Sequence, residues 1–161
     1  MTRDVVNVKM SEMDVVTDGK MLKTILGSCV GIILHDPARR VSGLAHVMLP
    51  RRHKSDTTIG KYADTAVPAL LSLLTGKGSR PASLRALLIG GAQMFPLGNA
   101  ALASIGDQNV AAAREALQEL KVPIVYEDTG GTSGRSVTFD NASGEVFVRT
   151  LAAIERKGQS S

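Results

Sequence analysis

Two apolar runs, residues 30–34 and 41–49, stand out because polar side chains interrupt them so rarely. Both are short and partly β-branched, which favours strands over helices. Between them lies Asp36-Pro37-Ala38-Arg39-Arg40, a turn sequence in which proline presets the required φ. Upstream the pattern alternates. Residues 4–10 place Val6 and Val8 on one face and Val5 and Asn7 on the other, the period of a strand. Residues 13–16 predict a second short strand ending in the turn Thr17-Asp18-Gly19, and residues 21–26 lead into Gly27-Ser28-Cys29.

After Pro50 the period lengthens. Residues 51–60 are a polar loop, and over 61–74 Tyr62, Ala66, Ala69/Leu70 and Leu73/Leu74 recur at helical spacing. Pro68 removes one backbone hydrogen bond there and should kink the helix. Residues 76–82 read as a loop and 84–89 as a strand running into Gly90-Gly91. A second helix over 107–120 carries the stripe Val110, Ala113/Arg114, Leu117 and Leu120, with Asp107 as N-cap. Strands at 124–127, 135–140 and 145–150 follow, separated by the loop 128–134 and the turn 141–144, and residues 155–161 form a frayed polar tail. The pattern predicts one α+β domain, a layered sandwich of mixed, mostly antiparallel β-structure with two main helices and a core spanning about 4–150.

Composition narrows the possibilities. A chain of 161 residues with 43% hydrophobic content is long enough for one sizeable core. With two Tyr, three Phe and no Trp, that core must be built from Ala, Val, Leu, Ile and Met. One cysteine excludes an internal disulfide framework and fits a reducing cytoplasm. Neither a secretory leader nor a run of the roughly 20 apolar residues needed to span a bilayer is present, so a cytoplasmic protein without membrane insertion is expected. The net charge of +4 gathers in Arg39-Arg40 and Arg51-Arg52-His53-Lys54. No aromatic residues interleave with these cations as a single-strand stacking platform requires, so no nucleic-acid partner is expected. A solvated loop accounts for the charges, with steering toward an acidic protein surface as the second reading.

The candidate chemistry lies in the first apolar hairpin. Cys29 follows Gly27-Ser28, and His46 comes seventeen positions later in the second run. A two-residue loop at Pro37-Ala38 sets Cys29 opposite His46, with Cβ atoms roughly 4.5–5.5 Å apart. A four-residue loop leaves the pair diagonal on one face, and a three-residue loop puts them on opposite faces. A thiol with pKa about 8.5 is only a few per cent ionised at neutral pH, and an adjacent imidazole can take its proton and return it to a leaving amine. Gly27 lets the chain turn before the nucleophile, where backbone N–H groups around Ser28 and Cys29 can meet an oxyanion. The bland alternative is a structural cysteine beside a core histidine. His35 sits about 20 Å along the same strand, and His53 lies in the basic loop. Neither has a Cys or carboxylate at metal-ligand spacing, so no metal is expected. Gly90-Gly91 fits a turn better than a phosphate cradle, and no cofactor is expected.

Four ordered segments resemble one family. LGSCV followed by an acidic-Pro turn and GLAHVMLP, GKYADTAV at residues 60–67, GGAQMF at residues 90–95, and EDTGGTSGRSV at residues 127–137 are similar to the CheD family of chemoreceptor glutamine deamidases. The resemblance spans about residues 4–150. It implies a Cys-His-Thr triad in which Cys29 is the nucleophile, His46 the acid–base and a threonine the residue that orients the histidine. In members with an added glycine before LGSC, that threonine falls six residues before the cysteine. Here that position is Lys23, and Thr24, five before the cysteine, is carried over as the orienting residue in its place, beside its plain reading as a strand or loop hydroxyl. The resemblance also places Thr129, with Gly130 and Gly131, near the pocket, and implies a fold akin to bacterial cysteine-dependent toxin deamidases. The implied substrates are glutamines on the cytoplasmic helices of methyl-accepting chemoreceptors, and the implied partner is a CheC-type phosphatase. Two other readings remain beside it: a different thiol acyl-transfer enzyme such as a transglutaminase or small peptidase, and a non-catalytic regulator of the phosphatase with an inert cysteine.

Overall fold

Alternation in the sequence becomes strand, and helical spacing becomes helix. The computed structural model describes residues 4–94 and 105–151. In chain order these give β1 (Val5–Asn7), β2 (Met13–Thr17), β3 (Met21–Leu26), β4 (Val30–Asp36), β5 (Val41–Val47), α1 (Ala63–Gly76), β6 (Arg85–Gly90), α2 (Ile105–Glu119), β7 (Ile124–Thr129), β8 (Arg135–Asp140) and β9 (Glu145–Thr150). One sheet has the order β1-β3-β8-β9 and the other β2-β5-β4-β6-β7. Within them β1 runs parallel to β3 and β6 parallel to β7, and the remaining pairs are antiparallel.

Two apolar clusters define three layers. In the first, Ile32, Leu34, Ala45 and Val47 of the five-stranded sheet meet Leu70 and Leu74 of α1 and Val110 and Leu117 of α2. In the second, Ile33, Leu44 and Ile89 from the opposite face of that sheet meet Leu22 and Leu26 of β3 and Val137 and Phe139 of β8. The order is therefore helices, five-stranded sheet, four-stranded sheet. This layering explains the near-continuous apolar runs. β4 and β5 are buried at all seven positions each, because one face packs on helices and the other on a second sheet. β3 shows plain alternation, with Leu22, Thr24 and Leu26 turned inward and Ile25 left 62% exposed.

Of the three loop lengths the spacing left open, the turn between β4 and β5 takes the four-residue one in place of the two-residue closure. Asp36 pairs with Val41, so the loop holds four residues, 37–40. The carboxylate of Asp36 accepts the N–H groups of Ala38 and Arg39 at 3.1 and 3.2 Å, and Arg40 takes φ 54°. An Asp side chain that organises its own turn outcompetes the shorter closure. The register consequently sets Gly31, not Cys29, opposite His46.

Other boundaries shift for local reasons. α1 begins at Ala63, after the extended Tyr62, and buries Ala63, Ala66, Val67, Leu70 and Leu74 while Leu73 stays 46% exposed. Pro68 lies within α1 on its exposed side. Asp107 stands in the first turn of α2 and not at its N-cap, since the helix already runs from Ile105. β1 is shorter than the alternation suggests, because the chain beyond Asn7 leaves one sheet for the other. Phe95 of GGAQMF and the polar tail lie outside the described residues.

Helix α1 approaches β5 closely over Gly43. A Cβ added there would meet Leu70 Cδ1 at 2.7 Å and Leu74 Cδ1 at 2.9 Å. Both are ends of flexible side chains, so Gly43→Ala should fold but lose about 1–3 kcal/mol to overpacking, measured by urea unfolding. Because Gly43 faces the helices, on the side of β5 away from His46, the alkylation rate of Cys29 should not change.

Candidate active site

The loop that carries Cys29 is three residues long and its carbonyls are all held. Between β3 and β4, Gly27 O accepts the N–H of Ala92 at 3.0 Å and Cys29 O accepts the N–H of Gly91 at 2.9 Å. Ser28 O accepts Asn109 Nδ2 at 3.0 Å. Among the described residues, no hydrogen bond engages the N–H of Ser28 or Cys29. Gly90 and Gly91, at φ 110° and 69°, are what make these contacts possible. A Cβ on Gly90 would lie 2.4 Å from Cys29 O, and one on Gly91 2.4 Å from Val110 Cγ2 of α2. Gly27, by contrast, needs no such exemption: its Cβ would rest against Met94 at 3.5 Å.

Cys29 packs against the apolar cluster between the sheets, the side of β5 that also carries Leu44 and His46. Extending the β4–β5 register places it diagonal to His46, a relation that leaves strand neighbours roughly 7–8 Å apart. The thiol is free and forms no hydrogen bond with His46 at rest. Such contacts commonly tighten only when substrate binds.

His46 is 3% exposed and Thr24 4%, and they meet across the gap between the sheets. Thr24 Oγ1 lies 2.8 Å from His46 Nδ1. The same hydroxyl donates to Val8 O at 2.6 Å. A hydroxyl has one hydrogen, and a carbonyl can only accept it. Thr24 Oγ1 is thus the acceptor toward His46, which must carry its proton on Nδ1. That leaves the lone pair on Nε2. The departure from the family spacing, Thr24 in place of a threonine at position 23, still brings a hydroxyl to the imidazole. Alternation explains it: position 24 faces the sandwich interior and Lys23 faces outward.

The chain between the sheets fixes this histidine as well. Val8 N–H donates to Lys23 O at 2.9 Å, Ser11 N–H to His46 O at 2.9 Å, and His46 N–H to Glu12 O at 3.0 Å. Burial lowers the His46 pKa, partly offset by the Val8 carbonyl and by Glu12. Burial raises the Cys29 thiol. Both shifts favour the uncharged forms, so the resting state near neutral pH is thiol and neutral imidazole. An open cleft of about 390 Å³ has Val8, Met10, Lys23, Thr24, Ile25 and His46 in its wall.

The remaining sequence candidates are dispersed. Thr129 pairs with Gly90 at the end of β7, but its hydroxyl donates to Glu127 at 2.9 Å. Gly130 and Gly131 take positive φ and pack on the Gly90 loop, Gly131 O accepting Gln93 N–H at 2.8 Å. His35 lies toward the far end of β4, where its Nδ1 is 2.7 Å from Ser42 Oγ. His53 is exposed, with Nδ1 3.2 Å from Ser55 Oγ, and belongs to a separate surface cavity of about 650 Å³ that also contains Asp56 and Tyr62. No group of three His, Cys, Asp or Glu side chains among the described residues could hold a metal ion.

Sequence reasoning missed Asn109. It is fully buried on α2 and donates both to Ser28 O and to Met48 O, each at 3.0 Å. The signal was a polar residue within an apolar stripe, between Gly106 and Ala113 on the buried face. Arg135, 9% exposed, was missed too; it ties Asp128 at 3.2 Å and Gly130 O at 2.9 Å to the same corner.

Compared with known proteins, the family model described as CheD chemotactic sensory transduction matches residues 48–150. That stretch starts after His46, but full-length likeness comes from curated relatives. The chemoreceptor glutamine deamidase CheD of Halalkalibacterium halodurans is 42% identical over 159 residues, covering 96% of this chain and 98% of its own. The probable chemoreceptor glutamine deamidase CheD of Moorella thermoacetica is 45% identical over 137 residues, 83% of this chain and 82% of its own. Among solved structures, a Neisseria meningitidis protein of family DUF152 shares the fold at TM-score 0.50 and 13% identity over 80% of this chain, which spans 64% of that protein's length.

Two measurements test the geometry. Thr24→Val keeps the side-chain shape and removes the acceptor for Nδ1–H. It should lower kcat about ten- to a hundredfold, or roughly 1.4–2.7 kcal/mol, with Lys23→Ala unaffected as control. The pH profile follows from the shifts. Because burial lowers His46, the acid limb of kcat/KM should fall below the ordinary histidine value of about 6.5. Because burial raises Cys29, its alkylation should accelerate through an apparent pKa above about 8.5. A thiol already ionised at pH 6 would contradict the neutral resting pair.

Proposed function

This chain belongs to the CheD family, and from that premise we propose that it is a chemoreceptor glutamine deamidase that works through a Cys29 thioester. The observation that carries the mechanism is the bond from His46 Nδ1–H to Thr24, which commits Nε2 to proton transfer. Cys29 Sγ attacks the side-chain carbonyl carbon of glutamine while its proton passes to Nε2. The carbonyl π pair moves onto oxygen, toward the N–H groups of Ser28 and Cys29. When the tetrahedral adduct collapses, the C–N bond breaks and His46 hands its proton to the departing ammonia. Water then loses a proton to Nε2 and attacks the thioester. The product is glutamate, and the thiol recovers its proton. The sum is amide plus water to carboxylic acid plus ammonia.

No step needs an ionised thiol beforehand. A neutral cysteine beside a neutral, correctly tautomeric imidazole is a general-base pair, which matches the direction of both shifts. The substrates in this reading are glutamines on the cytoplasmic helices of methyl-accepting chemoreceptors, and a CheC-type phosphatase is the regulatory partner. No helix among the described residues is long and apolar enough to cross a membrane, and a cytoplasmic location fits the substrate. A second reading, a regulator with an inert cysteine, draws on the burial of the thiol.

Incubation with cytoplasmic chemoreceptor fragments, followed by peptide mass spectrometry, separates the readings. The wild-type chain should raise the mass of specific glutamine peptides by about one unit and release ammonia. Cys29→Ala should abolish this and leave the fold intact, since a small side chain replaces the thiol. His46→Asn should slow it by at least about 10²–10⁴, the span of a general acid–base contribution. Deamidation persisting in Cys29→Ala would remove the nucleophile assignment. Cross-linking or backbone cleavage in place of the mass change would identify another acyl transfer.

A further inference from the structure

Asn109 has an arrangement that packing alone does not explain. Its side chain is completely buried. Its one amide nitrogen donates to Ser28 O, the residue before Cys29, and to Met48 O, two residues past His46. Two carbonyl acceptors settle which end of the amide is nitrogen. The cost sits at the other end, where Oδ1 is buried with no partner among the described residues. That orphaned acceptor accompanies the satisfaction of two main-chain carbonyls, one of them in the Cys29 loop.

A peptide unit is planar and trans, so the carbonyl of Ser28 and the N–H of Cys29 point in opposite directions from one rigid plate. Holding Ser28 O therefore aims the Cys29 N–H. The preceding plate is held the same way, through Gly27 O on Ala92 N–H, and both N–H groups are left without a partner among the described residues. We propose that Asn109 is a positioning residue for the oxyanion site: it orients the Cys29 N–H toward the developing O⁻ and locks that loop to the end of β5 beyond His46. This rests on the thioester reading of Cys29. It requires no contact between Asn109 and substrate.

The predicted signature is a split between two reactions of the same thiol. Acyl transfer places negative charge on a carbonyl oxygen and needs the oriented N–H. Alkylation by iodoacetamide displaces iodide and develops no oxyanion. Asn109→Ala and the near-isosteric Asn109→Asp, which cannot donate to the two carbonyls when ionised, should lower kcat for deamidation about ten- to a hundredfold with KM little changed. Alkylation of Cys29 across pH should match wild type. A receptor peptide with an aldehyde in place of the glutamine carboxamide supplies a readout independent of deamidation. Cys29 adds to its carbonyl carbon, the π pair becomes the alkoxide oxygen and the thiol proton goes to His46. Affinity for that peptide should fall by the same factor.

The control is Asn141→Ala. Asn141 is a second buried asparagine whose Nδ2 donates to two carbonyls, Asp18 O at 2.9 Å and Arg40 O at 2.7 Å, at the opposite end of the sandwich. Its loss should cost comparable stability in thermal unfolding and leave kcat and aldehyde affinity unchanged. Asn109 variants that fold and keep wild-type aldehyde affinity overturn the proposal. So does alkylation that falls in step with deamidation, which would place Asn109 behind the thiol or His46 and not behind the oxyanion. Tight aldehyde binding by a wild-type chain that releases no ammonia would leave Asn109 in this role and remove the deamidase reading instead.

Discussion

A buried imidazole is useful as a base only if one of its nitrogens is already committed, and here one hydroxyl makes the commitment. Thr24 spends its only hydrogen on Val8 O and accepts from His46. The three residues come from three places: β3 of one sheet, β5 of the other, and the segment that crosses between them. Much of the fold follows from holding those three together. The crossing segment makes backbone bonds to Lys23 on one side and to His46 on the other, so the sheets cannot slide without breaking the relay. Leu22 and Leu26 flank Thr24 on the inner face of β3 and bury it among apolar neighbours. Burial strengthens the bond by excluding water, and the same burial pushes His46 toward its neutral form.

Cys29, the proposed nucleophile, is held by a different part of the molecule. Its loop leaves β3 and enters β4, but its carbonyls are fastened to the Gly90–Ala92 turn and to α2. Close approach of backbone to backbone requires glycine there. A Cβ on Gly106 would lie 2.4 Å from Gly91 O, just as one on Gly90 would strike Cys29 O. The family segment GGAQ meets that requirement. It is a spacer of minimal thickness that lets α2, β6 and the cysteine loop share one corner. The Asp128–Gly131 stretch, held by Arg135, backs that corner from outside.

The strands and helices were readable because burial on two faces or one writes itself into the apolar pattern. β8 and β9 fall where the alternation put them, and both helices lie within a turn of their predicted starts. Cys29 and His46 were readable as residue types with a use at a permitted spacing. Their register was not, because it depended on whether Asp36 would organise its own turn, and sequence spacing alone left three loop lengths open. Thr24 was carried over from the resemblance one place off the expected spacing, and the reason it meets His46 is strand parity, visible only once the sheets are known to face each other. Asn109 was hidden for a different reason. Its role is set by contacts to residues 28 and 48, which lie 81 and 61 positions away, and no local pattern records a long-range bond to a main-chain carbonyl.

A histidine–hydroxyl relay does not by itself make a site, and this chain contains the comparison. At the other end of the sandwich His35 Nδ1 meets Ser42 Oγ, whose hydrogen goes to Asn141 Oδ1. The logic is that of His46, Thr24 and Val8, and burial lowers this imidazole as well. Yet Phe139 covers the ring edge-on with centroids 5.1 Å apart, and a Cβ on Gly144 would lie 3.1 Å from Nε2. No thiol stands nearby, and Asn141 fastens the turn in place of a nucleophile loop. There the relay satisfies buried polar groups and joins the sheets. What distinguishes the His46 end is everything around the relay: a free cysteine on the same face, two backbone N–H groups without a partner among the described residues, and an asparagine that donates to the carbonyl between them.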